Sequence, residues 1–120
     1  NYSCSVDDNN LAMDGTAVFD FTIKNVPTEI NTFLKKNMIN KNDIDFVMLH
    51  QASDIVLKNI MRKLDIEKKK FLNNLTEFGN TVSSSIPLII STNKKKVNNK
   101  KLLLCGFGVG LSIGVSYLEL

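Results

Sequence analysis

The chain has 120 residues, 43% of them hydrophobic, and its 15 basic and 12 acidic side chains give a formal net charge of +3. That is apolar material for one core, so a single globular unit is expected and two domains are not. The basic excess gathers in Lys68, Lys69, Lys70 and in Lys94, Lys95, Lys96, Lys100, Lys101, runs that read as solvated loops; with two Tyr and no Trp there is no alternation of bases with aromatics, which argues against nucleic-acid binding and leaves an acidic protein partner open.

In chain order, residues 1 to 10 are polar and read as an irregular segment, one that resembles the middle of a longer protein rather than a signal peptide. Met13-Asp14-Gly15 makes a turn with Asp14 as a helix cap. Phe19, Ile23 and Val26 recur at helical spacing, Pro27 interrupts, and Ile30, Phe33 and Leu34 continue the apolar face to Lys36, which predicts one broken helix or two in tandem.

Ile44-Asp45-Phe46-Val47-Met48-Leu49 is short and nearly all apolar, as expected of a strand buried on both faces. Leu57, Ile60, Met61 and Leu64 follow the i, i+3, i+4, i+7 pattern and leave Asp54, Lys58, Arg62 and Lys63 for the polar face, which predicts an amphipathic helix over residues 53 to 64. A lysine-rich connector leads to Phe78-Gly79-Asn80-Thr81, then to a Ser- and Ile-rich helix over 82 to 92 with Pro87 in its first turn. Lys101 to Phe107 reads as a second buried strand. Beyond the Gly106-Phe107-Gly108-Val109-Gly110 bend, Ile113, Val115 and Tyr117 alternate with Ser112, Gly114 and Ser116 as the return of a β-hairpin. The fold class is therefore α/β, a mixed sheet covered by helices, with three clear strands and one connection long enough for a parallel crossover.

Cys4 and Cys105 are far apart with no CxxC spacing, so neither a disulfide framework nor a metal site is expected and a reducing, cytoplasmic setting fits. No apolar run approaches the roughly 18 to 20 residues of a membrane span. Candidates for chemistry are few. His50, the only histidine, follows the last apolar residue of the first buried strand, the end at which α/β sheets bind ligands. Asn80 sits between Gly79 and Thr81 in a turn before a helix. A neutral imidazole and a carboxamide can each donate a hydrogen bond to a developing oxyanion. Each feature also has an ordinary structural reading: a satisfied histidine at a strand end, a common Gly-Asn-Thr turn, and a tight glycine hairpin. The glycine segment is not a dinucleotide fingerprint, because a strand pattern rather than a helix follows it.

Taken in order, His50-Gln51-Ala52-Ser53, Phe78-Gly79-Asn80-Thr81 and Gly106-Phe107-Gly108-Val109-Gly110 resemble the last three signatures of the 3-oxoacyl-[acyl-carrier-protein] synthase III family, and Ala12-Met13-Asp14-Gly15 resembles the segment ahead of them. The resemblance covers residues 11 to 120 as one domain and implies the C-terminal half of a thiolase-like fold. It implies that His50 and Asn80 hydrogen-bond the malonyl thioester carbonyl during decarboxylation and converge on one cleft. Val109, beside Gly108 and Phe107, would supply a backbone N–H to the oxyanion hole of the acyl-cysteine. Ser53 would meet the pantetheine arm, and Arg62 and Lys63 the acidic acyl carrier protein.

The resemblance further implies acyl-CoA and malonyl-ACP as substrates with no cofactor. The family carries Asn where Ser53 stands and a basic residue where Ile55 stands. Its nucleophilic cysteine lies in the N-terminal half at the start of a buried helix, a role that suits neither Cys4 nor Cys105, the latter being expected in the core. This polypeptide is thus expected to need a missing N-terminal half, to self-associate or expose apolar surface without it, and to be inactive alone. The other reading is a non-catalytic α/β binding or scaffold module derived from the same fold.

Overall fold

The computed structural model describes residues 4–7, 10–108 and 110–120, with side chains from Met13 onward apart from position 109. Two short strands, β1 (Cys4–Asp7) and β2 (Asn10–Met13), pair antiparallel with Val6 opposite Leu11. This corrects the expectation of an irregular start: Cys4 belongs to a strand, formed because two four-residue segments meet in register where neither shows a pattern by itself.

Helix α1 (Gly15–Lys36) is one continuous element, not a broken or a tandem pair. Asp14 caps it, its carboxylate accepting from the Ala17 N–H at 2.9 Å. Pro27 lies inside, buried, and lacks the N–H that would bond the carbonyl of Ile23. That carbonyl is served from elsewhere in the fold: Lys63 Nζ donates to it at 2.8 Å.

Strand β3 (Phe46–Leu49) leads to α2 (Asp54–Leu64), whose buried face is Val56, Leu57, Ile60 and Leu64. The connector read as a loop holds a 3-10 turn, Lys68–Lys70, and a two-residue strand, β4 (Phe71–Leu72), parallel to β3. Lys70 is not free in solvent, its ammonium donating to the carbonyls of Lys41 at 3.3 Å and Asn42 at 3.2 Å. Next come α3 (Leu75–Phe78), a 3-10 turn over Val82–Ser84, and α4 (Ser85–Thr92) with Pro87 in its first turn, where no intrahelical N–H is required. The second lysine run, also read as loop, forms the short helix α5 (Lys94–Val97), with the Lys96 ammonium 5.1 Å from the centre of the Phe46 ring. The chain closes with β5 (Lys101–Gly108) and β6 (Ser112–Glu119), paired antiparallel as the expected hairpin.

The main sheet has the order β4-β3-β5-β6, with β3 parallel to both neighbours. It is a mixed sheet, as read from the sequence, with β4 as the strand that escaped notice. Side-chain alternation divides its two faces. Val47, Leu49, Leu103 and Cys105 join Val26, Ile30 and Leu34 of α1 and the buried face of α2 in one core. Met48, Leu72 and Leu102 pack with Ile89 of α4 and Val97 of α5 in a second. Three layers result, and the carboxyl ends of β3 and β5 emerge between them.

Candidate functional site

His50 leaves the end of β3 with its backbone still in the sheet, its N–H donating to the Cys105 carbonyl at 2.9 Å. One residue further on, the fully enclosed Gln51 (1% exposed) donates to the Leu49 carbonyl at 2.8 Å and accepts from the Asn74 N–H at 3.2 Å. This carboxamide ties the end of β3 to the segment that enters α3, and so sets the distance between the arms carrying His50 and Asn80.

Asn80 is aimed by its neighbours. Gly79 has φ +66° and ψ −155°, a conformation open essentially to glycine alone, and it turns the chain sharply out of α3. The Asn80 Oδ1 accepts from the Val82 N–H at 2.9 Å and its Nδ2 reaches the Ala52 carbonyl at 3.4 Å, so the amide turns its nitrogen end toward the segment that follows β3. Val82 has φ +53°, strained for a β-branched residue, and its side chain is 71% exposed.

His50 and Asn80 line one solvent-open pocket of about 640 Å³ together with Val82, Ser85, Phe107 and Gly108. The expected convergence is present. The His50 ring meets Phe107 edge to face, centroids 5.3 Å apart at 80°, which fixes its tilt. Its Nδ1 lies 3.1 Å from the Ser85 hydroxyl oxygen. Burial pulls the imidazole below its usual pKa, and a hydrogen bond to the Val82 backbone works against that pull. No residue lining the pocket is an acid, a lysine or an arginine, among the described residues.

The remaining candidates fall elsewhere. Val109 lies outside the described residues. Ser53 does not line the pocket; its hydroxyl caps α2 by accepting from the Val56 N–H at 3.4 Å. Arg62 and Lys63 occupy the last turn of α2, some 13 Å along the axis from Ser53 at ~1.5 Å per residue. Arg62 Nη2 bonds Asn59 Oδ1 at 3.0 Å, and Lys63 is held by Ile23. Cys105 is fully buried and its thiol is pushed up to about 12 by desolvation, which leaves no thiolate at neutral pH and bears out its reading as core. Sequence reasoning missed Ser85 and gave Gln51 no role. Ser85 stands in the run Ser83-Ser84-Ser85, where composition offers no way to choose among three hydroxyls.

Comparison with known proteins agrees with this arrangement. The family described as 3-Oxoacyl-[acyl-carrier-protein (ACP)] synthase III C terminal matches residues 34–120. A beta-ketoacyl-[acyl-carrier-protein] synthase III of Lactococcus lactis subsp. lactis is 37% identical over 98% of this chain and 38% of its own length. The Streptococcus agalactiae serotype III protein of the same name is 42% identical over 91% of this chain and 35% of its own. Among solved structures, the 3-oxoacyl-(acyl carrier protein) synthase III of Pseudomonas aeruginosa PAO1 superposes with a TM-score of 0.84 at 28% identity, over 96% of this chain and 38% of that one. The chain thus spans a little over a third of the relatives it matches. With a thiolase-like arrangement of its sheet and helices, and with that match over most of its length, it belongs to the 3-oxoacyl-[acyl-carrier-protein] synthase III C-terminal family.

Proposed function

We propose that this chain is the C-terminal part of a condensing enzyme that joins an acyl thioester to malonyl-ACP with loss of carbon dioxide, in fatty acid or related lipid biosynthesis. The observation that carries the reading is the shared pocket of His50 and Asn80 at the carboxyl edge of the sheet. When the malonyl carboxylate leaves, the electron pair of the breaking carbon–carbon bond passes to the thioester oxygen. The resulting enolate needs polar partners fixed in advance, since reorganising them during reaction would raise the barrier. Asn80 is held at its oxygen end by Val82 and through one N–H by the Ala52 carbonyl, which leaves its second N–H for that task. The enolate carbon then attacks an acyl group on a cysteine of an N-terminal half, because Cys105 is too deeply buried and too weakly acidic to serve.

The same reading supplies the partners: a CoA thioester as acyl donor, an acyl carrier protein guided by the exposed, basic end of α2 at Arg62 and Lys63, and no cofactor. Ser53, as the cap of α2, would meet the pantetheine arm through the hydroxyl hydrogen its capping role leaves free. Val109 would add its backbone N–H to the oxyanion hole of the acyl-cysteine, beside Phe107 and Gly108. The setting is cytoplasmic, and the chain alone is inactive, with apolar groups such as Ile55 and Phe78 left at its surface for self-association or for the other half.

The test uses this chain joined to a cysteine-bearing N-terminal half. His50→Ala and Asn80→Ala should each depress malonyl decarboxylation about 100-fold while acylation of the cysteine persists. Loss of acylation with decarboxylation spared would defeat the assignment, and an unsubstituted joined protein that performs neither step would favour the non-catalytic module.

A further inference from the structure

Ser85 is the first residue of α4, only 1% exposed, and its hydroxyl takes part in two contacts. It donates to the Val82 carbonyl at 2.8 Å, and its oxygen lies 3.1 Å from His50 Nδ1. A hydroxyl has one proton. Committed to the Val82 carbonyl, it can only accept from the ring, so both contacts are satisfied together only if Nδ1 carries a hydrogen. The opposite assignment, with the hydroxyl donating to a bare Nδ1, would forfeit the shorter of the two bonds.

We infer that Ser85 is a positioning residue that holds neutral His50 as its Nδ1–H tautomer, leaving a lone pair at Nε2. Phe107 fixes the tilt of the ring and Ser85 its proton. The chemical meaning rests on the condensing-enzyme reading: in the neutral site Asn80 is the standing hydrogen-bond donor, and His50 is an acceptor that donates from Nε2 only when cationic. The two side chains are therefore not equivalent donors, although composition and spacing make them look so.

His50 is the only histidine of the chain, so histidine labelled with 15N gives one imidazole to observe. Long-range nitrogen–proton correlation, recorded above the ordinary imidazole pKa of about 6.5, distinguishes the tautomers directly. The wild-type chain should show predominantly Nδ1–H. In Ser85→Ala the Nε2–H form should rise several-fold, and Ser85→Thr, which keeps the hydroxyl, should restore the wild-type pattern. A wild-type ring protonated at Nε2 overturns the inference whether or not the alanine variant folds. An unchanged tautomer in a folded Ser85→Ala chain also overturns it, since the ring would then keep its proton without the serine hydroxyl. The measurement needs no turnover, so it can succeed or fail independently of the decarboxylation assay.

Discussion

Lys63 and Ile23, forty positions apart, are joined by a hydrogen bond of 2.8 Å from the lysine ammonium to the isoleucine carbonyl. The carbonyl is the one that Pro27 leaves without an intrahelical donor, and the lysine comes from a helix packed against α1. A side chain at the rim of a proposed docking surface thus also repairs the backbone of a neighbouring helix. The bond satisfies an acceptor that a proline inside a helix ordinarily leaves open.

Lys63→Met should lower the unfolding free energy by about 1 kcal/mol, a value at the modest end for a charged donor because the bond is exposed. Pro27→Ala supplies a backbone N–H to the same carbonyl. In that background Lys63→Met should cost markedly less, and urea denaturation of the four proteins of the cycle measures the coupling. Additive losses would mean that the lysine contributes nothing through Ile23.

Val82→Gly should leave the chain as stable or add about 1 kcal/mol, because glycine accepts a left-handed φ without strain and the valine side chain buries little. Gly79→Ala should do the reverse, costing roughly 1 to 3 kcal/mol at a backbone geometry that alanine resists. Thermal unfolding of the two variants should shift in opposite directions.

The depressed pKa of His50 makes stability depend on pH with a definite sign. The unfolded chain binds a proton near pH 6.5 while the folded chain resists it, so the unfolded state holds more protons in the window between the folded value and 6.5. Stability from this group is complete above that window and declines as pH falls through it. Denaturation curves of wild type and His50→Gln should diverge on the acid side and run parallel above pH 7 or so; identical acid dependence would show that the ring is not desolvated.

Cys105 should resist alkylation in the folded chain and react only on unfolding, because its thiol is enclosed and held up to about 12. Peptide mapping after iodoacetamide treatment, with and without denaturant, reads this out. Rapid native modification of Cys105 would contradict its place in the core.

Much of this protein was legible in the order of its residues. Apolar spacing in α1 and α2, the continuous run of β3 and the alternation of β6 are properties of chain neighbours, and a chain's own periodicity reports them. His50 and Asn80 were visible too, since one follows a buried strand and the other stands between a glycine and a threonine in a turn. What the tertiary structure alone decided are matters of where the chain returns. Strand β4 is two residues long and exists only because β3 offers an edge; β1 and β2 exist only in each other's company. Pro27 reads as a break, and that the Ile23 carbonyl it strands is met by Lys63, forty positions on, no spacing foretells; Ser85 is one serine of three until the fold sets it against a ring thirty-five positions earlier. Periodicity records which face of an element is buried, but a hydrogen bond between distant segments depends on ångström placement that no local pattern encodes.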